Sequence, residues 1–203
     1  MKQPVRIILL IISLLSISAS NSPEDGASET IQAGLLRARV GENGWYTSDV
    51  VIPLLFPPGV TANGQPVPGG QLTVSAEGRH EIQLAPPGPH GADNAVTQFV
   101  NIDKSAPLVS WITAPNTLFS GRATLSADVT DEVSGIGSIE VSFDHGSHWT
   151  VQRFPDDQVY ATRWSIEQDV SGFKEGAKVI LLRARDRAGN VSPGEILVVR
   201  VKP

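Results

Sequence analysis

"RATLSADVT", residues Arg122 to Thr130, decides how this chain reads. Ala123, Leu125, Ala127 and Val129 alternate with Thr124, Ser126 and Asp128, which is the period of a strand with one dry face and one wet face. Working outward, the same kind of short run recurs at Val109 to Ile112, Ser138 to Phe143, Thr150 to Phe154, Ala161 to Glu167, Lys178 to Ala184 and Glu195 to Val201. Strands at spacings of about ten residues, separated by turn residues, form the pattern of an antiparallel sandwich. With many Gly and Pro residues and no sustained 3.6-residue apolar period, the chain reads as all-β.

Upstream, "GENGWYTSDVVIPLLF", "GRHEIQLA" and "AVTQFVNI" supply a second set of strands, the first of them near Val50 to Phe56. Between them, Asn63-Gly64 and Gly69-Gly70 suit tight hairpin turns, because both pairs accept positive φ. "VNIDKSAP", Val100 to Pro107, joins the two sets with a strand end, a polar turn and a proline that cannot continue a ladder. The expected organisation is residues 1–20 as a signal peptide, 21–40 as a polar, partly disordered leader, and two β domains at 41–104 and 105–203. The stretch "IQAGLLRARV", Ile31 to Val40, is compatible with a strand or a helical turn.

The signal peptide rests on Lys2 and Arg6 ahead of an uncharged run from Ile7 to Ile17, followed by Ser18, Ala19 and Ser20. That run is about half the roughly 20 residues a spanning helix needs, so no stable membrane insertion is expected after cleavage. The chain has no cysteine, which excludes disulfides, thiolate metal sites and thiol nucleophiles and suits an exported bacterial protein. The formal charge is −5 and becomes more negative once Lys2 and Arg6 are removed, with no block of like charge, so nucleic acid is not an expected partner.

"GWYTSDVVIPLLF", "VSAEGRHEIQL" and "VNIDKSAP" together resemble the immunoglobulin-like repeats of bacterial exported and cell-surface proteins. "VTDEVSGIGSIEVSFDHGSHWT" with "LLRARDRAGNVSP" resembles a second member of that group. It is also similar to the immunoglobulin-like dimerisation domain of molybdenum-cofactor oxidoreductases of the sulfite oxidase type. The resemblance implies two tandem immunoglobulin-like sandwiches. The first departs from the pattern, since "APPGPHGADNA" stands where the second carries "RDRAGN".

Candidate chemistry is concentrated in turns. "SFDHGSHWT", Ser142 to Thr150, carries the Ser-x-Asp-x-Gly-x-x-Trp pattern known from sialidases as the Asp box. There Asp144 is expected to accept backbone N–H bonds, Gly146 to take positive φ and Trp149 to fold onto the sheet. One copy is no propeller, which needs at least about four blades, so the pattern reads as a staple. "RDRAGN", Arg185 to Asn190, pairs with "DVTDEVSG", Asp128 to Gly135, and explains itself as a turn in which Asp186 and Asn190 bond their own backbone. The sharper alternative is calcium held by Asp103, Asp131, Glu132, Asp186 and Asn190 near strand ends, although no dense D-x-D-x-D-G loop is present.

His80-Glu81 begins like the zinc motif H-E-x-x-H, but Leu84 takes the second histidine's place on a strand. His145 and His148 stand three apart in a turn without a third ligand. Asp156-Asp157 are neighbours in a loop, whereas paired catalytic carboxylates face each other across about 5 to 9.5 Å. Trp111 and Trp164 are expected in the core; Trp45 opens a strand where partial exposure is the alternative, with core the favoured reading. No catalytic, cofactor-binding or metal residue is therefore assigned, and no cofactor. The expected function is non-catalytic: interaction, adhesion or spacing in the cell envelope, with a protein or polysaccharide partner. The alternative is an accessory domain, for dimerisation or carbohydrate binding, that supports an extracytoplasmic enzyme.

Overall fold

The computed structural model describes residues 36–54, 59–154 and 159–202. The signal segment, most of the polar leader and Asp156-Asp157 lie outside the described residues. In chain order the strands are β1 (Trp45–Tyr46), β2 (Val50–Pro53), β3 (Thr61–Ala62), β4 (Gln65–Pro66), β5 (Gln71–Val74), β6 (Gly78–Ala85) and β7 (Val96–Ile102). They continue with β8 (Leu108–Trp111), β9 (Leu118–Phe119), β10 (Arg122–Thr130), β11 (Ile136–Ser142), β12 (Thr150–Arg153), β13 (Ala161–Asp169), β14 (Gly176–Asp186) and β15 (Glu195–Val201). The all-β reading holds, and each run expected to be a strand in the second half is one. Leu118–Phe119 was too short to show a period.

Compactness divides the chain differently from the expected boundary near residue 104. One unit takes residues up to Arg37 with Val50–Val74 and Glu81–Phe99, and the other takes Ala38–Asp49, Ser75–His80 and Val100–Pro203. Long-range pairing is the reason. Trp45 and Tyr46 lie parallel to Asn101 and Ile102, while Lys104 binds Asp49 at 3.0 Å and the Ser75 carbonyl at 2.7 Å. Glu77 accepts the Lys104 N–H and the Ser105 hydroxyl. Segments that precede the junction by tens of residues thus belong to the second unit.

The first unit is built from short pieces, as its prolines and glycines dictate. β2 pairs antiparallel with β5, and β3 forms a hairpin with β4 through Asn63 (φ 49) and Gly64 (φ 78), the expected tight turn. Ala85 and Leu84 of β6 pair with β3, and Val50, Ile52, Val60, Ile82 and Leu84 are buried. Gly69 and Gly70 do take positive φ, but they join β4 to β5, which pair with different strands, so they close no hairpin.

In the second unit a three-stranded sheet, β13-β10-β8, faces a five-stranded sheet, β12-β11-β14-β15-β9. The alternation read in β10 is realised: Ala123, Leu125, Ala127 and Val129 are buried, at 2% exposure or less. Leu125, Ala127, Val129 and Trp164 from the small sheet pack with Ile139, Val141, Leu182 and Leu197 from the large one in a single core. Trp164 is buried in the core as expected, while Trp111, on the same sheet, is half-buried and packs against the core, the two rings meeting edge to face at 6.3 Å. The pairing of β9 with β15 is parallel, a departure from a purely antiparallel sandwich.

Leu125→Ala opens a cavity among side chains that are fully buried, and it is expected to cost about 2–5 kcal/mol in denaturant unfolding. Thr124→Ala, one residue away on the exposed face, is expected to stay within about 0.5 kcal/mol. Equal losses at the two positions would contradict the register.

Candidate functional site

One end of the second unit gathers three buried aspartates. Asp103 follows β7, Asp131 follows β10 and Asp186 closes β14, so three distant segments deliver one aspartate each. Their exposures are 0%, 4% and 1%, and one carboxylate oxygen of each lies within 4.8 Å of those of the others. Backbone donors hold them. Asp103 accepts the N–H groups of Ser105 and Ser134, each at 3.1 Å. Asp131 Oδ1 accepts those of Gly135 at 2.6 Å and Val133 at 3.3 Å.

Asp186 accepts the Asn190 N–H at 2.8 Å and the Asn190 side-chain amide at 2.7 Å, which is the self-bonded turn expected of "RDRAGN". Gly189, at φ 96, makes it tight. The same Asn190 amide donates to the carbonyls of Asp103 and Ser105, which ties the turn to the segment before β8. Burial pushes the Asp186 carboxyl up to about 7, against the Asn190 bonds, with the charges of Asp103 and Asp131 adding to the rise. Burial also raises Asp131, with the Asp103 charge in support. Of the five residues named as oxygen donors from sequence, the fold brings Asp103, Asp131 and Asp186 together with Asn190 beside them. Glu132 is exposed.

The Asp box lies elsewhere in this unit, between β11 and β12. Asp144 Oδ1 accepts the His148 N–H at 2.8 Å and the Ser142 hydroxyl at 2.9 Å, and Oδ2 meets His148 Nδ1 at 2.5 Å. Gly146, at φ 86, donates its N–H to Ser142 Oγ at 2.8 Å. Serine thus shares the capping task assigned to the aspartate alone. These bonds hold the Asp144 carboxyl down at about 2, the His148 N–H first among the causes. A serine, an aspartate and a histidine are adjacent here, but both partners bond the carboxylate. Nucleophilic catalysis needs the imidazole on the hydroxyl instead.

Trp149 folds back as expected: its indole N–H donates to the Gly146 carbonyl at 3.1 Å, and the Arg183 guanidinium covers its ring at 4.0 Å. Arg183 also donates to Glu140 at 2.7 Å, its register partner on β11. Alternation along β14 puts Arg183 on the outer face, but only strand register reveals its partner. Trp45 is 4% exposed beneath Arg79, in keeping with the favoured core reading. His80 sits on β6, a strand rather than a zinc-binding helix, and bonds the Ala76 carbonyl at 2.8 Å. In the first unit, a depression lined by Thr61, Gln83, Pro86, Pro87, Gly91 and Ala95 presents neutral groups.

No family model and no curated protein matches the chain. Solved structures do resemble parts of it. An endo-β-1,4-mannanase from Thermotoga petrophila is 13% identical at a TM-score of 0.38, over 49% of this chain and 20% of its own. Fibronectin(III)-like modules of Clostridium thermocellum CbhA are 15% identical at 0.37, over 83% and 94%. A mutant of the SrpA adhesin from Streptococcus sanguinis is 16% identical at 0.34, over 49% and 57%.

Because the Asp144 carboxyl is lower in the folded chain than its ordinary value, the stability it contributes is present above about pH 4 and lost as pH falls through about 2. Melting temperature is expected to drop over that interval, and Asp144→Asn to flatten the drop while speeding amide exchange at His148. An unchanged profile in the variant would mean that the turn does not depend on the charge.

Proposed function

We propose that this chain is an exported, non-catalytic protein of the bacterial cell envelope. Its immunoglobulin-like units dock a partner protein through sheet edges. The observation that carries this reading is that three of the large apolar side chains exposed by the second unit stand on edge strands, beside Ile196 on the inner strand β15. Leu108, 69% exposed, lies on β8; Leu118, 61% exposed, on β9; Val151, 43% exposed, on β12. Each of these is an outermost strand of its sheet. An edge strand carries unpaired N–H and C=O groups, and apolar side chains beside them give an extended segment of a partner both hydrogen bonds and buried area.

A protein segment suits the surface better than a polysaccharide. Sugar binding of the usual kind stacks a ring on an open aromatic face, yet Trp45 is buried and Trp149 is covered by Arg183. Two further observations favour a non-catalytic role: the Ser142, Asp144 and His148 groups are engaged in their own turn, and the depression in the first unit is lined by neutral side chains. Among the described residues no helix is long and apolar enough to cross a membrane.

The test uses the full chain as bait for envelope proteins of its source cells. Leu118→Lys or Val151→Lys is expected to cut recovery of the captured protein at least about tenfold, with the melting temperature unchanged. The edge in use is the one whose variant fails. Capture indifferent to both substitutions, or a tryptophan fluorescence change on adding envelope polysaccharide, would overturn docking of a protein at these edges.

A further inference from the structure

We infer that this chain forms a two-fold dimer through β13, whose free edge pairs antiparallel with β13 of a second copy and joins the two three-stranded sheets into one. β13 is outermost in the sheet β13-β10-β8 and spans nine residues, Ala161–Asp169, whereas the other edge strands of this unit have four (β8, β12) or two (β9). It pairs with β10 along its whole length in one unbroken register. Long, flat edges are ordinarily guarded by a proline, a bulge or charged side chains. β13 has no proline and no bulge, and its charges are placed so that a second copy fits them. The dimer uses neither the strands nor the partner of the function proposed above, so either reading can fail alone.

The hydrogen-bonding phase of β13 fixes which backbone groups are free. The Ser126 carbonyl accepts the Ile112 N–H, so Ser126 turns its backbone toward β8, and the Val170 N–H donates to the Gly121 carbonyl on the other side of β10. Bonded and non-bonded pairs alternate along an antiparallel ladder. Thr162, Trp164, Ile166 and Gln168 therefore bond β10, while Ala161, Arg163, Ser165, Glu167 and Asp169 turn their N–H and C=O groups outward. The Asp169 carbonyl takes the side-chain amide of Gln168 at 2.9 Å; the outward groups of the other four have no partner among the described residues.

The side chains select a second copy as the occupant. With a two-fold axis at Ser165, Arg163 stands opposite Glu167 of the second copy, and Glu167 opposite its Arg163. Both already pair within the chain, Arg163 with Asp128 at 3.1 Å and Glu167 with Arg122 at 3.3 Å, so a row of alternating sign crosses the joint twice. On the core face Trp164 meets Ile166, which is only half-buried in the single chain. Thr162 meets Gln168 and Ala161 meets Asp169, and no like charges are opposed. An axis at Trp164 leaves Arg163 and Glu167 without opposite charges across the joint, and an axis at Ile166 takes Ala161 and Thr162 out of the pairing. Exposed ion pairs contribute little each. Affinity comes from the main chain, where full pairing makes about ten N–H···O bonds, as many as a standard protein interface carries. The charges set the register.

The experiment follows the full chain by sedimentation equilibrium from about 1 to 100 μM, where a reversible monomer–dimer equilibrium is expected. Arg163→Glu and Glu167→Arg each oppose like charges at both crossings and are expected to raise the dimer Kd at least about tenfold. Mixed in equal amounts, the two variants are expected to associate with each other as tightly as the unaltered chain does with itself, because opposite charges again face each other at both crossings. A role of either side chain within its own chain would give no such recovery. Ser165→Pro removes an N–H that β10 does not use, so it is expected to abolish the dimer while the monomer keeps its fold.

A chain that stays monomeric at about 100 μM would overturn the inference. So would single charge variants that dimerise undiminished, or a mixture of the two that does not associate. If a charge variant fails to fold, the dimer of the unaltered chain and its loss in Ser165→Pro still decide.

Discussion

The interleaving of Leu125, Val129 and Trp164 with Ile139, Leu182 and Leu197 is the constraint on which the rest of the second unit depends. Two sheets must present apolar side chains to each other at alternate positions, and every turn must return the chain in register to keep that face dry. The turns carry the polar residues for this reason. Their backbone groups sit close to the core and need partners inside the protein. Asp131 and Asp186 accept such N–H groups at one end of the sandwich, while Ser142 and Asp144 do so in the β11–β12 turn.

Solving the backbone problem with carboxylates creates an electrostatic one. A single capping aspartate at the surface keeps its charge at little expense, as Asp144 does with His148 beside it. Three such caps converge where Asp103, Asp131 and Asp186 meet, and there burial works against the charged forms of Asp131 and Asp186. Asn190 mediates between the two demands, since its amide donates to Asp186 and to the carbonyls of Asp103 and Ser105. The two acidic turns use the same local chemistry, and their difference lies in how many charges share one dry volume.

Much of this was legible in the residues. The period of two along Arg122–Thr130, the glycines in "RDRAGN" and the Ser-x-Asp-x-Gly-x-x-Trp pattern act over a few neighbours, so strand and turn followed from them directly. The partners that cover Trp45 and the division of the chain into compact units were not legible, because both depend on residues far along the chain. Trp45 is covered through its pairing with Asn101 and beneath Arg79, and Lys104 is held by Asp49 and Ser75. Gly69-Gly70 has the conformation a hairpin needs, yet strand pairing, which is non-local, assigns its two flanks to different partners.

By itself, then, the sequence determined an all-β chain, most of its strands and the self-bonded form of its acidic turns, since backbone preference and side-chain capping operate within about ten residues. Only the tertiary structure decided that Asp103 meets Asp131 and Asp186 while Glu132 faces solvent, that Arg183 closes over Trp149, and that residues 38–49 belong with the second unit. Those outcomes hang on sheet register and strand order, which are settled by burying the whole core at once.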